Sequence, residues 1–177
     1  MTKFVENGNG LLVPEKIKCK GLYVGQIIRA GKVIDEFDFD NLVTDEGLTS
    51  MLGVNFHADA QITSWYLGVF EGNYTPVSSD GAATIASNAT ESSAYTSSTR
   101  PAFTPAAAAA KAITNTASRA TFTFNASKTI YGAFLISSSV IGGTTGVLFS
   151  AARFSAAKVV QNTDQLLLTY TFNAASA

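Results

Sequence analysis

The sequence is poor in the residues that most enzyme chemistry needs. A single cysteine, Cys19, excludes an intrachain disulfide and a zinc site built on thiolates. A single histidine, His57, excludes a His-pair metal site and a multi-histidine relay within one chain. Charged side chains make up only 14% of the residues, against about 25% in ordinary soluble proteins. Twelve basic and thirteen acidic residues leave a net charge of −1. That balance offers no broad positive field, so neither nucleic acid nor an anionic membrane is an expected partner. No apolar run approaches the roughly 18 residues of a membrane helix. The opening residues Met1 to Glu6 lack the charged-then-apolar plan of a signal peptide.

What is present fits a single domain with an arm. The 177 residues are 46% hydrophobic, enough for one sizeable core. The charges are unevenly placed. Residues 1–50 hold six basic and eight acidic side chains, whereas the 127 residues from 51 onward hold six and five. Alanine, serine and threonine fill the gap. Charges are depleted at the cores of interfaces, so a body this thin in them suits an assembly subunit. A Ser/Thr-rich β-protein kept soluble by its hydroxyls has the same composition.

Local patterns predict a mainly β chain. Residues 1–20 read as an extended N-terminal arm, because Lys16, Lys18 and Lys20 alternate with Ile17 and Cys19. Residues 21–177 read as the domain. Leu22–Arg29 and Val33–Asp40 form a hairpin about Ala30-Gly31-Lys32. A short helix is predicted near residues 44–55, capped by Thr44 or Asp45 and ended at Gly53. Its apolar stripe is Leu48, Met51, Leu52 and Phe56. Trp65–Phe70 reads as a buried strand. Residues 72–110 lose periodicity and read as a long loop region. Within it, Thr104-Pro105 and five alanines suit either a short helix or an extended connection. Further strands follow at 120–124, 130–136, from 147, and at 166–172. Seven or eight short strands with one inserted helix predict a β-sandwich, jelly-roll-like if the connections cross.

The chain carries few residues arranged for chemistry. Glu36, Asp38 and Asp40 share a strand face, but the calcium-loop pattern fails, since Asn41 and Gly47 stand at its sixth and twelfth positions. Strand neighbours two apart are also too spread to chelate alone, and a solvated face is the better reading. His57 with the many serines has no Gly-x-Ser-x-Gly elbow beside it. Gly142–Gly146 lacks the Lys-Ser/Thr ending of a phosphate loop and reads as a hairpin. No catalytic residue, metal or cofactor is expected. Arg100 is the only charge between Glu91 and Lys111. If buried it must find partners, either Glu91 or Glu71 and loop carbonyls, or a neighbouring subunit. The candidate assembly contacts are therefore Lys16, Lys18, Lys20 and Arg100.

The order of several segments also resembles a known family. Asn41–Leu48 is followed by Trp65–Gly68, Tyr95, Thr99-Arg100-Pro101 and Gly132–Ser138. Gly142–Ser150 and Asp164–Thr171 complete the series. This series is similar to the small virion proteins of tailed bacteriophages, over about residues 41–173. Members are capsid decoration, or cement, proteins, and related modules occur near tails and fibres. The resemblance implies a β-sandwich that binds the outside of an icosahedral shell and carries no catalytic residues. The implied partners are the major capsid protein and further copies of the chain. The implied location is the capsid surface of a virion made in the host cytoplasm. A tail- or fibre-associated protein is the alternative, with Trp65, Tyr66, Tyr74 and Tyr95 as aromatic platforms.

Overall fold

The computed structural model describes residues 4–6, 12–14 and 17–176. In chain order the strands are β1 (Phe4–Glu6), β2 (Leu12–Pro14), β3 (Ile17–Arg29), β4 (Lys32–Asp40) and β5 (Leu42–Val43), followed by helix α1 (Asp45–Phe56). Then come β6 (Trp65–Phe70), helix α2 (Ala82–Asn88), β7 (Ala102–Phe103), β8 (Ala112–Thr114) and β9 (Ala120–Thr123). The chain closes with β10 (Lys128–Ile136), β11 (Leu148–Val160) and β12 (Gln165–Ser176). One antiparallel sheet has the order β5-β11-β10-β6-β7. The other runs β4-β3-β12-β8, with β9 also on β12. The fold is a mainly β, sandwich-like one, and the chain passes from one sheet to the other after β4, β7, β9 and β11.

Aromatic side chains join the two sheets. Tyr23, Phe39, Leu168 and Tyr170 of one sheet pack against Leu67, Leu135 and Phe154 of the other. Phe39 stacks on Tyr23 at 5.2 Å and meets Phe154 at 4.4 Å, so three rings bridge the interlayer space. Each such pair adds about 0.5–1.5 kcal/mol beyond its burial. The predicted hairpin is β3–β4, and its turn is two residues long, Ala30 and Gly31 both taking positive φ.

The region at 72–110 contains a helix the pattern did not reveal. In α2, Ala82 and Ile85 cover the outer side of the β5-β11-β10-β6-β7 sheet with Phe70, Phe134, Ile136 and Leu148. That cover explains why Ile130–Ile136 shows no polar alternation: β10 is buried on both faces. The alanine run resolves as an extended connection. Ala106 N–H bonds to Thr114 O, and the chain reverses at Ala110 and Lys111, both at positive φ. Too few residues lie there to offset helix nucleation.

Two further expectations need correction. Helix α1 does not stop at Gly53 but continues to Phe56. The Gly53 carbonyl accepts from His57 N–H and Asp59 N–H, and a β-carbon at Gly53 would collide with the Asp59 carboxylate. The glycine thus admits the returning chain. The arm boundary at residue 20 also falls inside a strand, because residues 17–20 pair with 173–176. Only β1 and β2 stand apart, as a two-stranded sheet of their own.

Candidate functional site

The predicted contact residues do not converge. Lys16 lies outside the described residues. Lys18 and Lys20 are exposed at the start of β3, opposite Ala175 and Asn173. Strand β4 pairs with β3 only from Leu22 onward, so residues 17–20 and 173–176 form a ribbon projecting past β4. Ile17 sits in this ribbon with 75% of its surface exposed.

Arg100 is elsewhere and is no surface contact. Its side chain and that of Glu91 are 0% and 1% exposed. Nε and Nη2 donate to the two Glu91 oxygens, each at 2.7 Å, and Nη1 donates to Ser138 O at 2.8 Å. The guanidinium lies over the Phe134 ring at 5.3 Å. Glu91 also accepts Gly142 N–H at 2.6 Å. Together the pair clamps the 138–143 turn onto the sheet. A guanidinium so placed has no donor surface to offer a neighbouring subunit.

The other chemical candidates are equally local. Glu36 accepts from Gln26, on the exposed face that it shares with Asp38 and Asp40. Among the described residues no three His, Cys, Asp or Glu side chains come close enough to hold a metal ion. His57 is exposed beyond α1, with Nδ1 2.9 Å from Asp59.

Charge use through the body is the more informative feature. Of the eleven charged residues from 51 onward, ten engage other groups of the chain. Arg29–Asp164, Lys128–Glu71, Lys158–Asp35 and Arg100–Glu91 are ion pairs, and Asp59 faces His57. Asp80 accepts from Tyr74 and Val77, Arg119 donates to Gln26, and Arg153 donates to Asn73. Among the described residues Lys111 alone of the eleven makes no such contact.

The sandwich is open at one end. There an apolar pocket of about 190 Å³ lies between the sheets, walled by Trp65, Phe103, Phe149, Ile113, Tyr170 and Phe172. The rings of Trp65 and Phe149 meet edge-on at 5.6 Å, and Phe149 meets Phe172 at 5.2 Å. The pattern placed Trp65 in a buried strand. It is half-buried at this mouth, because it is the first residue of β6. No local signal separates a ring at a strand end from one in mid-strand. A second pocket joins Trp65 and Phe149 to Met51 and Val54 of α1, so the helix borders the mouth.

The α1 stripe is only partly inward. Leu52 is 55% exposed and Phe56 84%. The aromatic platforms are mostly occupied within the chain: Tyr95 is buried against Phe122, and the Tyr74 hydroxyl donates to Asp80 at 2.8 Å. No protein-family model matches the chain, and no curated protein matches it.

Proposed function

We propose that the chain is a structural protein of a tailed-bacteriophage virion. In this reading it is a decoration protein on the outer surface of the icosahedral shell, lying across joints between major capsid subunits. The observation that carries this reading is how the charges are used. Ten of the eleven charged residues from residue 51 onward are engaged within the chain. Large apolar side chains such as Phe56, Val140 and Val159 are exposed beside them. Such a surface suits coverage by neighbouring protein better than free solution. The similarity of segment order to virion proteins supports the same reading.

The mechanism is mass action. Contacts made only with the assembled lattice stabilise that state in proportion to differential affinity. The β1–β2 pair is a second support, because an isolated two-stranded sheet is marginal in water and gains from lying against another surface. The tail-associated alternative has less support, since Tyr95 is in the core.

Imaging of purified virions tests the proposal. Hundreds of copies on the shell are expected, and absence from the shell overturns it. Deleting residues 1–16, which leaves the β3–β12 ribbon intact, is expected to weaken shell binding without altering thermal unfolding. Undiminished binding by that truncated chain removes the arm from the mechanism.

A further inference from the structure

We propose that the open end of the sandwich is a self-recognition site, in which Phe56 of one copy seats in the aromatic mouth of a second. This inference does not depend on the capsid reading. The mouth is about 190 Å³ and is lined by aromatic and aliphatic side chains. Apolar cavities of about 150 Å³ stay dry and take up a benzene-sized guest. A phenyl ring therefore fits in size and chemistry. The chain carries such a ring fully presented: Phe56, at the end of α1, is 84% exposed, with Leu52 one turn back at 55%.

Charge complementarity selects a second copy as the occupant. Lys111 is exposed beside the mouth, where its carbonyl accepts from Ala174 N–H, two residues beyond Phe172. It is the one charge from residue 51 onward that finds no partner among the described residues. Asp59 follows Phe56 by three residues, its carboxylate half-exposed and facing His57. Phe56 entering the mouth brings the Asp59 carboxylate toward the Lys111 ammonium. Helix α1 also borders the mouth through Met51 and Val54. Knob and hole thus share one end of the molecule, which permits a closed two-fold pair in which each copy supplies both.

The test is sedimentation velocity across the micromolar range, with emission of the single tryptophan as a second readout. Trp65 lines the mouth and is the only tryptophan in the chain, so its environment reports occupancy directly. The wild-type chain is expected to dimerise with a blue shift of Trp65. Phe56→Ala is expected to weaken the dimer by about 1,000-fold, because the two-fold pair loses an anchor from each copy at about 30-fold apiece. The exposed position keeps this variant folded. Lys111→Asp is expected to weaken the dimer, and Lys111→Asp with Asp59→Lys to restore it. A wild-type chain that stays monomeric overturns the proposal, as does a dimer unmoved by Phe56→Ala. Saturable toluene binding by a monomeric wild-type chain overturns it too, assigning the mouth to small apolar molecules. So does a Trp65 red shift on removing residues 1–16 from a monomeric chain, which assigns the mouth to the chain's own N-terminus.

Discussion

Arg100 and Glu91 meet in a two-bond ion pair with almost no exposed surface, nine residues apart along the chain. The pair also holds Ser138 O and Gly142 N–H, so its loss frees the 138–143 turn. Removing one member of a buried pair strands the other charge, at a cost of about 3–5 kcal/mol. Glu91→Gln is therefore expected to lower Tm by about 10 °C, given roughly 2–4 °C per kcal/mol in a chain of this size. Arg100→Met combined with Glu91→Leu is expected to cost less than the two single changes summed, because no charge is left stranded. Thermal unfolding of the four proteins measures this coupling.

Asp164 gives the stability a pH-dependent component. Arg29 donates to both carboxylate oxygens, at 2.9 and 2.7 Å, and Gln161 N–H donates at 2.7 Å. The Arg29 hydrogen bonds hold the carboxyl below the usual range; burial opposes them and the Gln161 N–H assists. A depressed folded pKa contributes stability above the unfolded value, which is lost as pH falls through the folded one. Asp164→Asn is thus expected to cost about 2 kcal/mol near neutrality. The gap to wild type should close as the pH falls below about 4. Urea unfolding at stepped pH reads the gap, and one that stays constant refutes the assignment.

Legibility in the sequence followed the range of the interactions. The β3–β4 hairpin was readable because alternation and a two-residue turn are local. Helix α1 was readable from Thr44, whose hydroxyl accepts Gly47 N–H, and from Asp45 and Glu46 after it. Its orientation was not, since the spacing of Leu52 and Phe56 is the same whether a stripe meets the core or another molecule. Helix α2 is seven residues of mostly small side chains, too short to show a period. The sequence offers Arg100 both Glu91 and Glu71 as local partners. Only the fold decides between them, by placing Lys128 on Glu71. The aromatic mouth collects residues from six strands and one loop, and no window of sequence contains it.

Gly47 illustrates propensity against packing. Alanine favours a helix over glycine by about 1 kcal/mol. A β-carbon at Gly47 would lie 2.5 Å from Phe149 O and 2.8 Å from Phe149 Cα. These are backbone atoms of β11, held there by Thr44 N–H bonding to Phe149 O. They cannot yield without moving the strand, and overpacking of this kind costs about 1–3 kcal/mol. Gly47→Ala is expected to be net destabilising, by up to about 2 kcal/mol once the propensity gain is subtracted. Chemical denaturation measures the sign directly.

Tyr23 and Tyr95 are both buried tyrosines, yet their hydroxyls stand in opposite situations. The Tyr23 hydroxyl lies 2.8 Å from Ser150 Oγ and links the two sheets. Burial and the nearby Tyr170 push its pKa up, so it stays a neutral partner at any ordinary pH. The Tyr95 hydroxyl is enclosed but finds no hydrogen-bond partner among the described residues. Its ring earns its place by packing edge-on to Phe122 at 5.2 Å, which phenylalanine would preserve. Tyr23→Phe leaves the Ser150 hydroxyl without this bond and is expected to destabilise by about 1 kcal/mol. Tyr95→Phe removes an unpaired polar group and is expected to stabilise by about 1 kcal/mol or more. The two variants delete the same atom from the same residue type, so lost volume cannot account for opposite signs. Parallel unfolding curves that shift the same way would show that hydrogen-bond pairing does not govern these two sites.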